Sequence, residues 1–151
     1  MPGPELPQPA RRLLFHSRDM TTTLATHHES NLRIEVLQSR VLGDFYSREV
    51  LLRTLATDAI VEYGVIAISL AEFSAPQRAT IEAGRAPLGN LLHRFEIPFV
   101  STPIGFFSVA GAELAATRLA PPADAICHGR FNRLARESGD PLAWILEILP
   151  P

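Results

Sequence analysis

Three consecutive stretches of this chain have the residue pattern of β-strands and are joined by short connections. The first, 32–38, alternates apolar and polar side chains, as a half-buried strand does. The second, 44–55, begins just after Gly43, and the third, 59–70, is rich in β-branched residues and almost continuously apolar. Strands that follow one another so closely pair antiparallel, because a parallel pair needs a long crossover. The sequence therefore predicts an antiparallel meander.

The rest of the chain combines helical and strand patterns. Helices are predicted over 10–16, 20–28, 74–83, 87–95 and, more briefly, 112–119. Further strands are predicted over 97–109, 126–136 and 142–149, the last two forming a hairpin with its turn at 138–141. Strands with helices grouped among them predict an α+β fold, a single antiparallel β-sheet flanked by helices.

Chain length and end composition predict one domain. The 151 residues are enough for a core of their own, and residues 1–9, with four prolines, are expected to form a flexible tail that leaves 10–151 as the domain. No apolar run approaches the roughly 18 residues that span a bilayer. The N-terminus also lacks the basic and apolar regions of a secretory signal. We expect a cytoplasmic protein with no membrane partner.

The charged residues exclude several chemistries. All 14 basic residues are Arg, and without Lys the chain has neither Schiff-base chemistry nor a P-loop lysine. The net charge of -2 gives no general field for nucleic acid, so no nucleic-acid partner is expected. Cys127 is the single cysteine, and the cluster 27–29 lacks metal-ligand spacing, so no metal site is predicted.

Two charged residues lie where the strand patterns predict buried side chains. Arg48 shares a strand face with Val50 and Leu52, and Glu147 lies inside the apolar run 142–149. A buried charge without a partner is very costly, so each of them needs compensation. Together they indicate a pocket for an anionic ligand. The alternatives are a structural salt bridge between Arg48 and Glu147, or strand residues that face water.

Two further segments offer donors to such a ligand. Pro87 fits the first turn of a helix, which leaves the N–H groups of Leu88 and Gly89 free to bind a carboxylate or phosphate. An ordinary helix–helix turn is the alternative. Arg130 and Arg133 lie on opposite faces of the strand 126–136, so only one can readily face the pocket. Arg130 is the candidate second donor, and a solvated strand residue is the alternative.

Four segments together resemble a known family: Arg18-Asp-Met-Thr-Thr-Thr-Leu24, Ser47-Arg-Glu-Val-Leu-Leu52, Gly84-Arg-Ala-Pro-Leu-Gly-Asn-Leu-Leu92 and Gly139-Asp-Pro-Leu-Ala-Trp-Ile-Leu-Glu147. Their order and spacing are similar to those of the chorismate lyase family (chorismate pyruvate-lyase, or 4-hydroxybenzoate synthase) and its uncharacterised relatives. The resemblance covers most of the predicted domain. It implies a chorismate lyase-like fold, an antiparallel sheet with a ligand site closed by helical flaps.

The resemblance also implies roles for single residues. Met20 would lie in the flap wall, Arg48 on a ligand carboxylate, and Glu147 near the ring hydroxyl or ether end of the ligand. The expected catalytic residues are Glu147 and Arg48, and the expected substrate-binding residues are Met20, Arg48, Leu88, Gly89, Arg130 and Glu147. The implied enzyme is a carbon–oxygen lyase that eliminates pyruvate from chorismate, leaves 4-hydroxybenzoate and needs no cofactor.

One strand departs from the family pattern and keeps other functions open. At 62–66 the chain reads Glu-Tyr-Gly-Val-Ile, where many members have a small residue followed by Ser or Thr, so Glu62 or Tyr63 is expected to reshape the pocket. The alternatives are a lyase for another enolpyruvyl or related anionic substrate, and a non-catalytic, sensor-like domain of the same fold. The enzyme is preferred here because Arg48 and Glu147 are both present and no helix-turn-helix is expected ahead of the domain. No oligomeric state is predicted.

Overall fold

Six strands form one antiparallel sheet in the order β1-β2-β3-β6-β5-β4 in a computed structural model, which describes residues 5–151. The strands are β1 (Leu32–Leu42), β2 (Phe45–Thr54), β3 (Ile60–Ser69), β4 (Val100–Ala110), β5 (Ile126–Ala135) and β6 (Pro141–Leu149). The helices are α1 (Ala10–Leu14), α2 (Met20–His27), α3 (Ala75–Glu82) and α4 (Leu88–Arg94), with single 3-10 turns at Leu70–Glu72 and Gly111–Leu114. The α+β prediction with a single antiparallel sheet flanked by helices is confirmed.

The strand order follows from local turns. Gly43, with a φ of 60°, closes the turn from β1 to β2, and Gly139, with a φ of 95°, lies in the turn from β5 to β6. Both conformations favour glycine because it has no Cβ. The meander β1-β2-β3 and the terminal hairpin are therefore where the sequence predicts them. The hairpin places β6 in the middle of the sheet, between β3 and β5.

One face of the sheet is covered by the four α-helices and holds two apolar clusters. The first cluster contains side chains of α3, α4 and the neighbouring strands, among them Ile81, Leu91 and Ile68. The second contains side chains of α1 and α2, among them Leu14 and Leu24. The opposite face is packed in part by the 3-10 turn at 111–114 and the loop that follows it. The inward-facing charged residues of the sheet lie on the helix-covered face, between these two clusters.

The sheet register aligns the residues that matter for the site. Arg48 lies opposite Ile66, which in turn lies opposite Ile145. Two residues before Ile66 in β3, Gly64 lies opposite Glu147, and Glu147 in turn lies opposite Arg130. Side chains of directly paired residues point to the same face. Arg48, Glu147 and Arg130 therefore share the helix-covered face, as the two-residue periodicity of β2 and β6 predicts.

Two predicted segments differ from the structure. The helix expected over 112–119 is only the 3-10 turn Gly111–Leu114, and the N–H groups of Ala115, Thr117 and Ala120 bond to carbonyls three residues earlier, as in successive turns and not in an α-helix. Of the predicted tail, residues 1–4 lie outside the described residues. Leu6, in the rest of it, is 3 % exposed and packs in the cluster of α1 and α2. No helix within residues 5–151 is long and apolar enough to cross a membrane.

Candidate ligand-binding site

A cavity of about 60 Å³ lies on the helix-covered face of the sheet, beneath the first residues of α2 and α4. The two apolar clusters border it, through residues such as Met20 on one side and Leu88 on the other. Its charged and amide side chains are Asp19, Arg48, Glu62, Asn132 and Glu147. The volume is well below the roughly 300–1,000 Å³ of sites for drug-sized ligands, so in this conformation the cavity suits a ligand of few atoms.

Arg48 has unused hydrogen-bond donors in this cavity. The residue is only 2 % exposed, and its Nη2 donates to the carbonyl of Ala86 at 3.1 Å. Its Nε and Nη1 are buried and have no acceptor among the described residues. Burial lowers the pKa of the guanidinium, and Tyr46 partly opposes this shift. Arg48 therefore has donors to offer to an acceptor that enters the cavity.

Arg130, in contrast, is occupied by the protein itself. The residue is fully buried, and its Nε contacts the Oε2 of Glu147. Its Nη1 donates to the carbonyls of Leu14 and His16, and its Nη2 donates to the carbonyl of Arg18 at 3.0 Å. Arg130 is also absent from the cavity lining. The predicted contact between Arg130 and a ligand is therefore replaced by a positioning function, since this guanidinium ties β5 to the segment before α2.

The salt bridge considered between Arg48 and Glu147 is not the one that forms. Glu147 pairs with Arg130, its direct neighbour across β5 and β6. Burial raises the pKa of the Glu147 carboxyl, and Asp19 adds to this, while Arg130 acts in the opposite direction. Glu147 lines the cavity with a fixed partner behind it.

Glu62 is a second buried acid in the same cavity. It is 4 % exposed, and its Oε2 has no hydrogen-bond partner among the described residues. Burial raises its pKa well above the ordinary value, the charge of Glu147 raises it further, and Arg130 opposes the shift. Gly64 lies beside it, and a Cβ at that position would come within 3.4 Å of the Glu62 Oε1. The absence of a side chain at Gly64 therefore keeps the cavity floor open next to Glu62.

Asn132 supplies a third unfilled group. Its Nδ2 donates to the Oγ of Ser101 at 2.9 Å, which fixes the orientation of the amide. Its Oδ1 is buried without a donor among the described residues. Asn132 lies opposite Ile145, on the same row of the sheet as Arg48. The amide oxygen is therefore an acceptor held ready at the cavity wall.

The helical cover places a carboxylate where the sequence predicts an anion site. Asp19 caps α2, its Oδ2 accepting from the N–H of Thr22 at 2.9 Å. The same oxygen would lie 3.2 Å from a Cβ at Gly89, so it sits against the start of α4. An anion bound by the N–H groups of Leu88 and Gly89 would meet this negative charge, which disfavours the predicted contact.

Five of the six predicted substrate-binding residues line the cavity, namely Met20, Arg48, Leu88, Gly89 and Glu147. Their contacts with a ligand stay predictions. Of the two residues expected to reshape the pocket, Glu62 lines it, whereas Tyr63 lies on the other face and donates to Glu49 at 2.8 Å. Burial and, to a smaller extent, this contact raise the pKa of Tyr63 to about 12.

Sequence reasoning missed Asp19 and Asn132 as site residues and noted Glu62 only as a departure from a pattern. A signal for Glu62 was present, because it interrupts an otherwise almost continuously apolar strand just as Arg48 does in β2. Asn132 shares the inward face of β5 with Arg130, and a polar side chain there is unusual. Asp19 had the ordinary signature of a helix cap, which gives no indication of a site.

The lining as a whole is poor in positive charge. Three carboxyl groups, of Asp19, Glu62 and Glu147, line the cavity with one guanidinium, that of Arg48. A dianion such as chorismate would enter a space already rich in acidic groups, at a cost that low dielectric increases. The charge distribution therefore disfavours the predicted substrate.

Comparisons with known proteins give a fold but no family. No protein-family model matches the chain, and no curated protein matches it. The effector domain of PhnF from Mycobacterium smegmatis superposes with a TM-score of 0.65 and 12% identity, over 87% of this chain and 88% of that domain. The ligand-binding domain of a putative GntR-family transcriptional regulator from Bordetella bronchiseptica gives a TM-score of 0.59 and 12% identity, over 78% of this chain and 85% of that one.

A longer PhnF structure from the same organism matches with a TM-score of 0.65 and 13% identity, over 88% of this chain and 64% of that chain. The present chain therefore spans less than two thirds of that structure. At these identities the likeness shows the fold alone. That fold, a six-stranded antiparallel sheet flanked by helices, is the one found in ligand-binding domains of GntR-family regulators.

The expectation of a carbon–oxygen lyase is wrong. The similar solved structures described above are PhnF, its effector domain and the ligand-binding domain of a putative transcriptional regulator, and none of the three is a chorismate lyase. The structure shows why Arg48 and Glu147 were insufficient evidence for a lyase. Glu147 forms an internal ion pair with Arg130, and Arg48 shares the cavity with the additional acids Asp19 and Glu62. These two residues alone do not define a lyase site.

Proposed function

We propose that this domain is a non-catalytic, sensor-like module that binds a small molecule in the cavity, with Arg48 holding an anionic group of the ligand. The observation that carries the proposal is the pair of unused donors on Arg48, buried and lining the cavity. The similar solved structures support it, because the matched parts include an effector domain and a ligand-binding domain.

The unliganded domain has an energetic cost at Arg48. A buried polar group without a partner costs about 1–3 kcal/mol, and more when it is charged. Arg48 donates to the Ala86 carbonyl and its guanidinium carbon lies 6.0 Å from the centre of the Tyr46 ring, but its Nε and Nη1 have no acceptor among the described residues. A carboxylate in the cavity matches the planar fork of the guanidinium and removes this cost. Binding energy is therefore available at this position.

The helices that cover the cavity would respond to a bound ligand. The cavity lies under the first residues of α2 and α4, and these helices meet where Asp19 lies against Gly89. A ligand larger than the present space shifts these helices, and a ligand that fits it favours the closed arrangement. Occupancy of the cavity is in this way coupled to helix position, which is the property that a sensor requires.

The test follows the Arg48 side chain directly. Protein labelled with 15N-arginine is titrated with acetate, inorganic phosphate and glycine, and the Nε–H signals are recorded by NMR. The Arg48 signal is assigned by its loss in Arg48→Met. We expect it to shift saturably with at least one probe, and we expect Arg48→Met to abolish binding of that probe. Arg133→Met, on the opposite face of the sheet, is the matched control and keeps binding.

Two results of this titration would contradict the proposed function. If the Arg48 signal responds to none of these probes, or if Arg48→Met binds the responding probe as tightly as the unaltered protein, Arg48 does not hold an anionic group and the proposed function falls.

A further inference from the structure

We infer that the ligand of this cavity is a small zwitterion, whose anionic group contacts Arg48 and whose ammonium group contacts Glu62. The inference rests on the proposed function and specifies the chemical class of the ligand. It adds a second polar end to the molecule, opposite in charge to the end that Arg48 holds.

The first support is an inventory of unpaired atoms. Within residues 5–151, the buried side-chain nitrogen and oxygen atoms without a hydrogen-bond partner are the Nε and Nη1 of Arg48, the Oε2 of Glu62 and the Oδ1 of Asn132. All three residues line the same cavity. Two atoms are donors; the Asn132 oxygen accepts, and so does Glu62 when ionised. A simple anion satisfies the donors only, and a simple amine satisfies the acceptors only.

The second support is the placement of these groups along the sheet. Arg48 lies opposite Ile66 in β3, whereas Glu62 lies four residues earlier in the same strand. At ~3.3 Å per residue, their backbone positions are separated by roughly 13 Å along the strand direction. Gly64 lies between them and has no side chain to close the floor. The backbones of Arg48 and Glu62 thus lie on either side of the Gly64 row of the sheet, so their side chains approach the cavity from different positions.

The other two acidic residues of the cavity, Glu147 and Asp19, already have partners within the protein. Glu147 is paired with Arg130, and Asp19 is bonded to the start of α2. Arg48 and Glu62 are left as the ionisable residues of the cavity that have buried side-chain atoms without a hydrogen-bond partner among the described residues. The described residues contain no group of three or more metal-ligating side chains that could hold a metal ion. A ligand that brings one positive and one negative group balances both.

The state of Glu62 agrees with an ammonium partner. Burial and the neighbouring Glu147 raise its pKa, and both therefore disfavour the ionised form. A bound ammonium group favours the ionised form and supplies the missing donor to its Oε2. Binding of the ammonium group is therefore expected to lower the pKa of Glu62.

The experiment compares probes that differ by one charged group. Glycine, β-alanine and γ-aminobutyrate are each matched with the acid that lacks the amine (acetate, propionate and butyrate) and the amine that lacks the acid (methylamine, ethylamine and propylamine). Affinities are measured by NMR titration, following the Arg48 Nε–H signal and the side-chain carboxyl carbon of Glu62. We expect at least one zwitterion to bind more than about tenfold more tightly than both matched probes.

Two variants locate the ammonium end. Glu62→Gln, which keeps the shape of the side chain, is expected to remove the preference for the zwitterion while the matched acid still shifts Arg48. Tyr63→Phe, at the next residue but on the other face of the sheet, is expected to keep the preference. The carboxyl carbon of Glu62 is expected to show ionisation when the zwitterion binds, and no such change with the acid.

The outcomes separate the two proposals. If acids bind as tightly as their zwitterions and Glu62→Gln changes nothing, the ammonium end is wrong while the anion site at Arg48 stands. If the zwitterion preference exists but survives Glu62→Gln, the inference is wrong about where the ammonium lies. If no probe shifts Arg48, the proposed function fails, and the inference fails with it.

Discussion

Two buried arginines on the same face of one sheet are used in opposite ways. Arg130 in β5 has a carboxylate and three backbone carbonyls as partners, whereas Arg48 in β2 has one carbonyl. Burial is nearly the same, at 0 % and 2 % exposure. The comparison teaches that burial of a charge does not by itself indicate a binding site, and that two arginines with nearly the same burial differ in how many donors are left unused.

The two buried glutamates repeat the contrast. Glu147 has Arg130 as a fixed partner, while one oxygen of Glu62 has none. The satisfied pair, Arg130 and Glu147, belongs to the architecture of the domain. The unsatisfied residues, Arg48 and Glu62, reduce the stability of the unliganded domain, as is typical of groups retained for binding.

The largest expected effect tests the satisfied arginine. Arg130→Met removes the partner of buried Glu147 and leaves the carbonyls of Leu14, His16 and Arg18 without this donor. Breaking a buried ion pair from one side costs about 3–5 kcal/mol. We expect a loss of this size in the free energy of unfolding, measured by urea denaturation. The same substitution at Arg133, which is half-buried on the opposite face and donates to the carbonyl of Gly139, is expected to cost less than about 1 kcal/mol.

Equal losses in the two variants would remove the distinction between the arginines. If Arg130→Met does not fold, urea denaturation of Glu147→Gln tests the same ion pair from its other side. A loss in unfolding free energy no greater than that of Arg133→Met would contradict the structural function assigned to Arg130.

The second largest expected effect is a gain in stability when Glu62 is replaced by Gln. The pKa of Glu62 is raised in the folded protein, so the folded state holds a proton that the unfolded state releases above the ordinary value of 4.5. The free energy of unfolding therefore falls as pH rises from about 4.5 toward the raised pKa. Glu62→Gln removes this loss, so it is expected to stabilise the unliganded domain at neutral pH by about 1–3 kcal/mol.

The measurement is the difference in melting temperature between Glu62→Gln and the unaltered protein, followed across pH. The difference is expected to grow with pH and to shrink as pH approaches 4.5. Tyr63→Phe, which loses only the bond to Glu49, is expected to show no growing stabilisation over this range. A Glu62→Gln variant that is less stable at neutral pH contradicts the view that Glu62 lacks a partner.

The smallest expected effect is on stability in Arg48→Met. The variant loses one hydrogen bond, to Ala86, and is relieved of a buried charge with two unused donors. Replacement of a buried charge by an apolar side chain of similar size is often neutral or stabilising. We expect a change in unfolding free energy within about 1 kcal/mol, measured by urea denaturation beside Arg130→Met. A loss as large as that of Arg130→Met would make Arg48 a second structural arginine.

The sequence was sufficient to predict the strands and the inward side of Arg48 and Glu147, because both depend on local two-residue periodicity. It was not sufficient to pair Glu147 with the correct arginine. That pairing depends on β6 lying beside β5 with Glu147 opposite Arg130, and on the carbonyls of 14–18 reaching a residue more than a hundred positions away. The sequence also does not show how many hydrogen bonds a buried side chain makes. Arg48 and Arg130 are both predicted to face the pocket, so the sequence could not distinguish the paired arginine from the one with unused donors.

The set of bonds around Arg130 also has a mechanical consequence. A single rigid, planar group joins the Glu147 carboxylate at the cavity wall to the carbonyls of Leu14, His16 and Arg18, immediately before α2 begins. A displacement of Glu147 by even a fraction of an ångström strains bonds to the chain that leads into α2. Arg130 thus connects the cavity wall to the segment before α2 through a single side chain, so the position of that segment depends on the position of Glu147.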